Sequence, residues 1–189
     1  MRQVLFLTHA QVEIDPSVPV PDWPLSARGR ARHEGFCGDV ALAGVTAIYS
    51  SRERKARDGA AIHAAALDLT PVAVTTLHEN DRSSTGYLSP DAFERHADAF
   101  FARPDESVDG WEPAARASAR IVCALRTIFE IDATGGDILV VAHGAVGALL
   151  RCDLLGKSIT RDEDQPAGGG NVFAFDPKTW SAPTEWRPI

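Results

Sequence analysis

Short apolar runs alternate with longer stretches of helical pattern along the chain, and this alternation predicts an α/β fold. Residues 4–8, Val-Leu-Phe-Leu-Thr, form an apolar run bounded by polar positions, as a buried strand requires. Four prolines between Pro16 and Pro24 make residues 12–25 a loop. Ser26 is a good N-cap for a helix to about residue 42. Residues 45–49 predict a second strand, Ser50-Ser51 a cap for a helix to about residue 67, and residues 72–76 a third strand before a polar loop at 78–86. In Ser89-Pro90 a serine cap precedes a proline at the first helical position, and another long helix covers about 112–131. The clearest strand is 137–142, an Ile-Leu-Val-Val run between Gly135-Gly136 and His143-Gly144. A helix to about 155 and a closing strand at 171–175 complete the pattern. The expected architecture is a three-layer α/β/α fold with a mainly parallel central sheet.

In such sheets ligands bind beyond the carboxyl ends of the strands. His9 follows the first strand, Ser50-Ser51 the second, Glu79 lies just past the third, and His143 ends the clearest one. A single histidine at a strand end is more often a hydrogen-bonded structural residue. Two of them, each followed by a small residue (Ala10, Gly144) that leaves room for a ligand, favour chemistry. One imidazole can attack phosphorus while another stabilises the transferred group, and a nearby carboxylic acid can protonate the leaving oxygen.

Composition narrows the field. A chain of 189 residues is long enough for one domain with its own core. The three cysteines are widely spaced with no Cys-x-x-Cys, which argues against a disulfide framework and fits a cytoplasmic protein. No apolar run approaches the roughly 20 residues of a membrane span, and the N-terminus lacks the pattern of a signal peptide. A net charge of −7 argues against a nucleic-acid partner, which needs a phosphate-neutralising surface. Residues 28–57 are nevertheless rich in arginine. They read either as solvated helix faces or as containing one or two cations that turn inward to meet a small anion.

Six segments, in order, resemble the motifs of the histidine phosphatase (phosphoglycerate mutase-like) superfamily. They are Leu7-Thr8-His9-Ala10-Gln11, Pro24-Leu25-Ser26-Ala27-Arg28-Gly29, Ser50-Ser51-Arg52-Glu53-Arg54-Lys55-Ala56, Leu77-His78-Glu79, Glu106-Ser107 and Val141-Ala142-His143-Gly144. The resemblance implies a metal-independent and cofactor-free phosphomonoester hydrolase acting on a small phosphorylated substrate. His9 would be the phosphorylated nucleophile, His143 its partner in holding the phosphoryl group, and Glu79 the general acid and then base. The helices after Pro90 and Trp111 are expected to form a cap insertion around 87–112, with Tyr87, Phe93 and Trp111 reading either as core or as its lining, and the resemblance fits a homodimer.

Two positions depart from the family pattern. Thr8 stands where the family has an arginine, and Lys55 stands for a second one. Arginine offers phosphate a bidentate fork, lysine a point charge, and threonine no charge. Losing one aimed donor costs about 10²- to 10³-fold in rate, so the site is either weakened or rebuilt. The phosphate-binding candidates are therefore Lys55, Arg82, Thr8, Ser51 and Gly144, with Arg82 able to supply the missing guanidinium. The alternative is a catalytically weakened relative that binds a phosphorylated ligand or protein partner. His33, His63 and His96 read as surface or packing residues, and Gly168-Gly169-Gly170 as a flexible link. A metal site from His9, Glu13, Asp15 and His143 matches no ligand spacing, and no Gly-x-Ser-x-Gly nucleophile elbow is present.

Overall fold

Strands that are apolar at every position need cover on both faces, and the fold provides it. The structure is a computed structural model that describes residues 2–181 and 183–189. Its six-stranded sheet contains β1 (Val4–Thr8), β2 (Val45–Ser51), β3 (Val72–Val74), β4 (Asp137–Ala142), β5 (Asn171–Phe175) and β6 (Arg187–Pro188), in the order β3-β2-β4-β1-β5-β6. The first four in that order run parallel, and β5 and β6 pair antiparallel. Alternation within each strand divides the core into two layers. Val4, Phe6, Ile138, Val140 and Ala142 join one buried cluster, while Leu5, Leu7, Leu139 and Val141 join the other.

The first cluster includes residues of α3 (Pro90–Ala102), α4 (Ala114–Ile131) and α5 (Gly144–Leu154), among them Phe100, Ile121 and Leu149. The second includes residues of α1 (Ala27–Phe36) and α2 (Arg54–Leu67), among them Phe36, Ala56 and Ala60. Helices therefore cover both faces of the sheet. Among the described residues no helix is long and apolar enough to cross a membrane.

Four boundaries differ from expectation. The first helix stops at Phe36 rather than near 42, because the chain turns at Gly38 and Asp39 caps a separate short 3-10 turn by accepting from the amide of Ala41. Strand β2 runs on through Ser50 and Ser51, which pair with β3, so this serine pair is buried strand and Glu53 occupies the cap position of α2. The third strand ends at Val74 and passes into a 3-10 turn. Edge strand β6 has no apolar run of its own and exists through pairing with β5.

Candidate active site

The register of β1 against β4 sets Thr8 opposite Ala142, so the residues that follow, His9 and His143, emerge side by side. The amide of His9 donates to Ala142 O at 3.0 Å, and the two imidazole centroids lie 5.3 Å apart, edge to face. The His9 Nδ1 lies 2.9 Å from the carbonyl of Ala10. A carbonyl only accepts, so this bond puts the proton on Nδ1 and leaves Nε2 with a free lone pair. Burial, reinforced by the nearby charge of Lys55, lowers the His9 pKa to about 4 and keeps the ring neutral.

His143 stands at the N-cap position of α5 and is completely buried, and neither of its ring nitrogens has a hydrogen-bond partner among the described residues. Its Nε2 lies 3.4 Å from Glu53 Oε1 without hydrogen-bond geometry. Burial holds its pKa well below the ordinary histidine value.

Glu79 faces the start of the same helix. Its two oxygens accept from the amides of Ala145 and Val146, each at 3.1 Å, and one of them also accepts from Asn80 N at 3.1 Å. A helix N-terminus favours the anion, and Arg82 adds to that pull, but burial outweighs both and raises the pKa. His78 does not touch this carboxyl; its Nδ1 instead meets the carbonyl oxygen of Glu79.

Of the phosphate-binding candidates, Arg82 and Gly144 line a cavity of about 270 Å³ together with His9 and Glu79. The Arg82 guanidinium stacks over Phe93 and Trp111, 5.0 and 5.6 Å from the ring centroids, and pairs with no carboxylate among the described residues. Phe93 and Trp111 line the cavity as well, whereas Tyr87 packs on Trp23 outside it.

The other three candidates are already engaged. Lys55 is buried, donates to Val20 O at 3.0 Å and forms an ion pair with Glu53, so its charge is largely cancelled. The Thr8 hydroxyl gives its proton to Gln165 Oε1 at 2.6 Å and accepts from Asn171 N at 2.9 Å, leaving none for a ligand. The buried Ser51 hydroxyl accepts from the amide of Glu53 at 3.2 Å. Neither Thr8 nor Ser51 lines the cavity. Within the basic stretch 28–57 only Lys55 and Arg32 turn inward, and Arg32 meets backbone carbonyls rather than an anion.

The structure adds three residues to the site. Glu53 contacts three of its parts, pairing with Lys55, approaching His143 and accepting from the amide of Glu79 at 2.9 Å. Although burial opposes it, the Lys55 ammonium and the amide of Glu79 hold the Glu53 carboxyl well below the usual carboxylate range. Gln165 lies in a loop distant in sequence. Its Oε1 accepts from Thr8 and from Asn171 Nδ2, which orients the amide so that Nε2 lies over Gly144, where a Cβ would come within 2.3 Å of it. Asn80 is buried with its Nδ2 unpartnered among the described residues, and it lines the cavity. A carboxylate two residues before Lys55 is the one signal that could have pointed to Glu53.

The Gly168-Gly169-Gly170 run is a fixed wall rather than a flexible link. Arg32 donates to all three of its carbonyls, and Gly170 N donates to His9 O at 2.8 Å. A Cβ on Gly169 would fall 2.5 Å from that same oxygen. Among the described residues no three His, Cys, Asp or Glu side chains gather as a metal-holding group.

Among curated proteins none matches the sequence. Among solved structures, a mycobacterial glucosyl-3-phosphoglycerate phosphatase in complex with inorganic phosphate shares the fold, with a TM-score of 0.76 at 21% identity, covering 99% of this chain and 95% of that one. YhfR of Bacillus stearothermophilus gives 0.78 at 19% identity, over 93% and 91%. A protein of Thermus thermophilus, TTHB049, gives 0.72 at 16%, over 99% of both. The family model of the histidine phosphatase superfamily (branch 1) matches residues 4–183. With nearly its whole length matched, the chain belongs to the histidine phosphatase superfamily.

Proposed function

We propose that the protein hydrolyses a phosphomonoester through a phosphohistidine at His9, without a metal. The observation that carries this reading is a neutral imidazole with a bare Nε2, packed edge to face with His143, on a cavity that also holds a protonatable Glu79 and the cation Arg82, which has no carboxylate partner among the described residues. The lone pair of His9 Nε2 attacks phosphorus, the ester P–O bond breaks, and the leaving oxygen takes the Glu79 proton. The Glu79 carboxylate then removes a proton from water, which attacks the phosphohistidine; the N–P bond breaks and phosphate leaves. Superfamily membership supports the reaction class, as does the shared fold with a phosphatase that binds inorganic phosphate.

Charge on the phosphoryl oxygens is met by a rebuilt donor set: the Arg82 guanidinium, His143, and the amides of Gln165 and Asn80. Preorganised donors of this kind stabilise developing charge without reorganisation. Residues 87–112 serve as the cap, with Phe93 and Trp111 closing one side of the cavity and holding Arg82 in place.

One observation favours the second reading, a weakened relative that only binds an anion. Glu53 cancels Lys55, and of the cations that line the cavity only Arg82 is without a carboxylate partner among the described residues. Phosphate release from a panel of phosphomonoesters in EDTA separates the two. Release that persists in EDTA and disappears in His9→Ala supports hydrolysis; no release above the His9→Ala background supports binding alone.

A further inference from the structure

Behind His9, buried between α1 and α2, lies a polar chain that the reaction does not use. Ala10 N donates to His33 Nε2 at 3.2 Å, His33 Nδ1 meets His63 Nε2 at 3.0 Å, and His63 Nδ1 meets Cys37 Sγ at 3.5 Å. The thiol ends the chain on the carbonyl of His33 at 3.4 Å. Both imidazoles are fully buried, and Gly59 makes room for them: a Cβ there would lie 2.8 Å from His33 Cε1.

Proton counting gives this chain one direction. A backbone amide can only donate, so His33 Nε2 is bare and its proton sits on Nδ1. That proton requires a bare Nε2 on His63, whose own Nδ1–H then faces the cysteine sulfur. A further proton on either ring would set two N–H groups against each other. Burial lowers the pKa of His33 to about 3 and of His63 to about 4, so both rings stay neutral. Two aliphatic side chains would fill the same space without burying four ring nitrogens, but they would leave the Ala10 amide without an acceptor.

Ala10 is held at both ends, because its carbonyl is the partner of His9 Nδ1. We infer that His33, itself fixed by His63 and Cys37, is a positioning residue that sets the Ala10 backbone and through it the orientation and tautomer of the nucleophilic His9. The inference rests on the reading of His9 as nucleophile. It concerns geometry rather than substrate binding, so its signature lies in kcat and not in KM.

The test combines NMR with kinetics on p-nitrophenyl phosphate. In the wild-type protein, nitrogen-15 imidazole spectra at pH 6 are expected to show His33 and His63 neutral and protonated at Nδ1, with His9 also protonated at Nδ1. In His33→Leu, His9 is expected to become a mixture of tautomers, and kcat to fall about 10- to 100-fold with KM little changed. His33→Gln, whose Oε1 can accept from Ala10 N where Nε2 did, is expected to recover most of that loss. Gly59→Ala crowds the ring without removing it and is expected to show a smaller fall of the same kind; it serves if His33→Leu does not fold.

Protonation of His33 or His63 at Nε2 in the wild type overturns the inference, as does a folded His33→Leu protein with unchanged kcat and an unchanged His9 tautomer. Failure of the underlying reading looks different: turnover survives in His9→Ala, or the wild type turns nothing over. In either case the tautomers of His33, His63 and His9 still decide whether His33 sets the Ala10 backbone and the His9 ring, while the consequence for catalysis falls with the reading of His9 as nucleophile.

Discussion

His9 and Glu79 are both shifted by burial, in opposite senses for the charge each carries. The lowered pKa of His9, about 4, leaves its ring neutral above that value, as the proposed attack on phosphorus requires. The raised pKa of Glu79 keeps a proton available for the leaving group to a higher pH than an ordinary carboxylic acid allows. The proposed reaction needs a neutral His9 and a protonated Glu79. The kcat/KM profile is expected to show an alkaline limb above the ordinary carboxylate range, while its acid side follows loss of the folded state before the His9 value near 4 is reached. Glu79→Gln is expected to abolish the alkaline limb and to lower kcat about 10²- to 10⁴-fold, measured by steady-state assays over the pH range in which the protein stays folded, up to about 9. An alkaline limb unchanged in that variant would assign the limb to another group. Arg82→Ala removes the unpaired cation, and kcat/KM is expected to fall about 10²- to 10³-fold. Arg82→Lys is expected to recover little, since a point charge lacks the planar fork that stacks on Phe93 and Trp111. The placement of His9, His143 and Glu79 near one another was legible because each follows a recognisable strand or motif. Glu53 and Gln165 were not, because their roles come from partners that only folding supplies: His143 for one, Thr8 and Asn171 for the other.

At the scale of elements, adjacent parallel strands β1 and β4 present the two histidines, and the N-terminus of α5 receives the Glu79 carboxyl. The glycine run before β5 braces the first of these from behind. Gly169 has φ of +63° and contacts His9 O, so Gly169→Ala combines backbone strain with a clash. A loss of about 1–3 kcal/mol in urea unfolding is expected, together with reduced kcat from displacement of His9. Stability and kcat both unchanged would show that the run is not a brace. The apolar runs of β1 and β4 made those strands plain from sequence. The end of β2 was misplaced because Ser50 and Ser51 look like a cap, and only pairing with β3 makes them strand. The glycine run looked loose for a similar reason, since the five-donor side chain of Arg32 that binds it lies in a distant helix.

Over the whole molecule, four histidines (His9, His33, His63 and His143) are held neutral by burial. In the unfolded chain each binds a proton near pH 6.5, while folded His33 and His63 do so only near 3 and 4. The folded state is therefore favoured fully above about 6.5, and that advantage is lost as pH falls from there towards the folded values. Each histidine removes roughly 1.4 kcal/mol per pH unit in that window. Glu79, with its raised pKa, offsets one of these protons near the ordinary carboxylate range. The melting temperature is expected to drop steeply between about pH 6.5 and 5, and His33→Gln to flatten the drop by about one proton. A flat profile over that range would show that these rings are already charged in the folded protein. Fold class was readable from the alternation of strand and helix, because both-face burial writes itself into the strands as unbroken apolar runs.

The central claim is a covalent phosphohistidine at His9. Rapid quenching of the enzyme with a labelled phosphomonoester, followed by peptide mapping at alkaline pH, tests it most directly. The account expects an acid-labile, alkali-stable phosphoryl group on the peptide containing His9, formed at least as fast as turnover and absent in His9→Ala. Turnover with no label on the protein, or label that persists in His9→Ala, would contradict it.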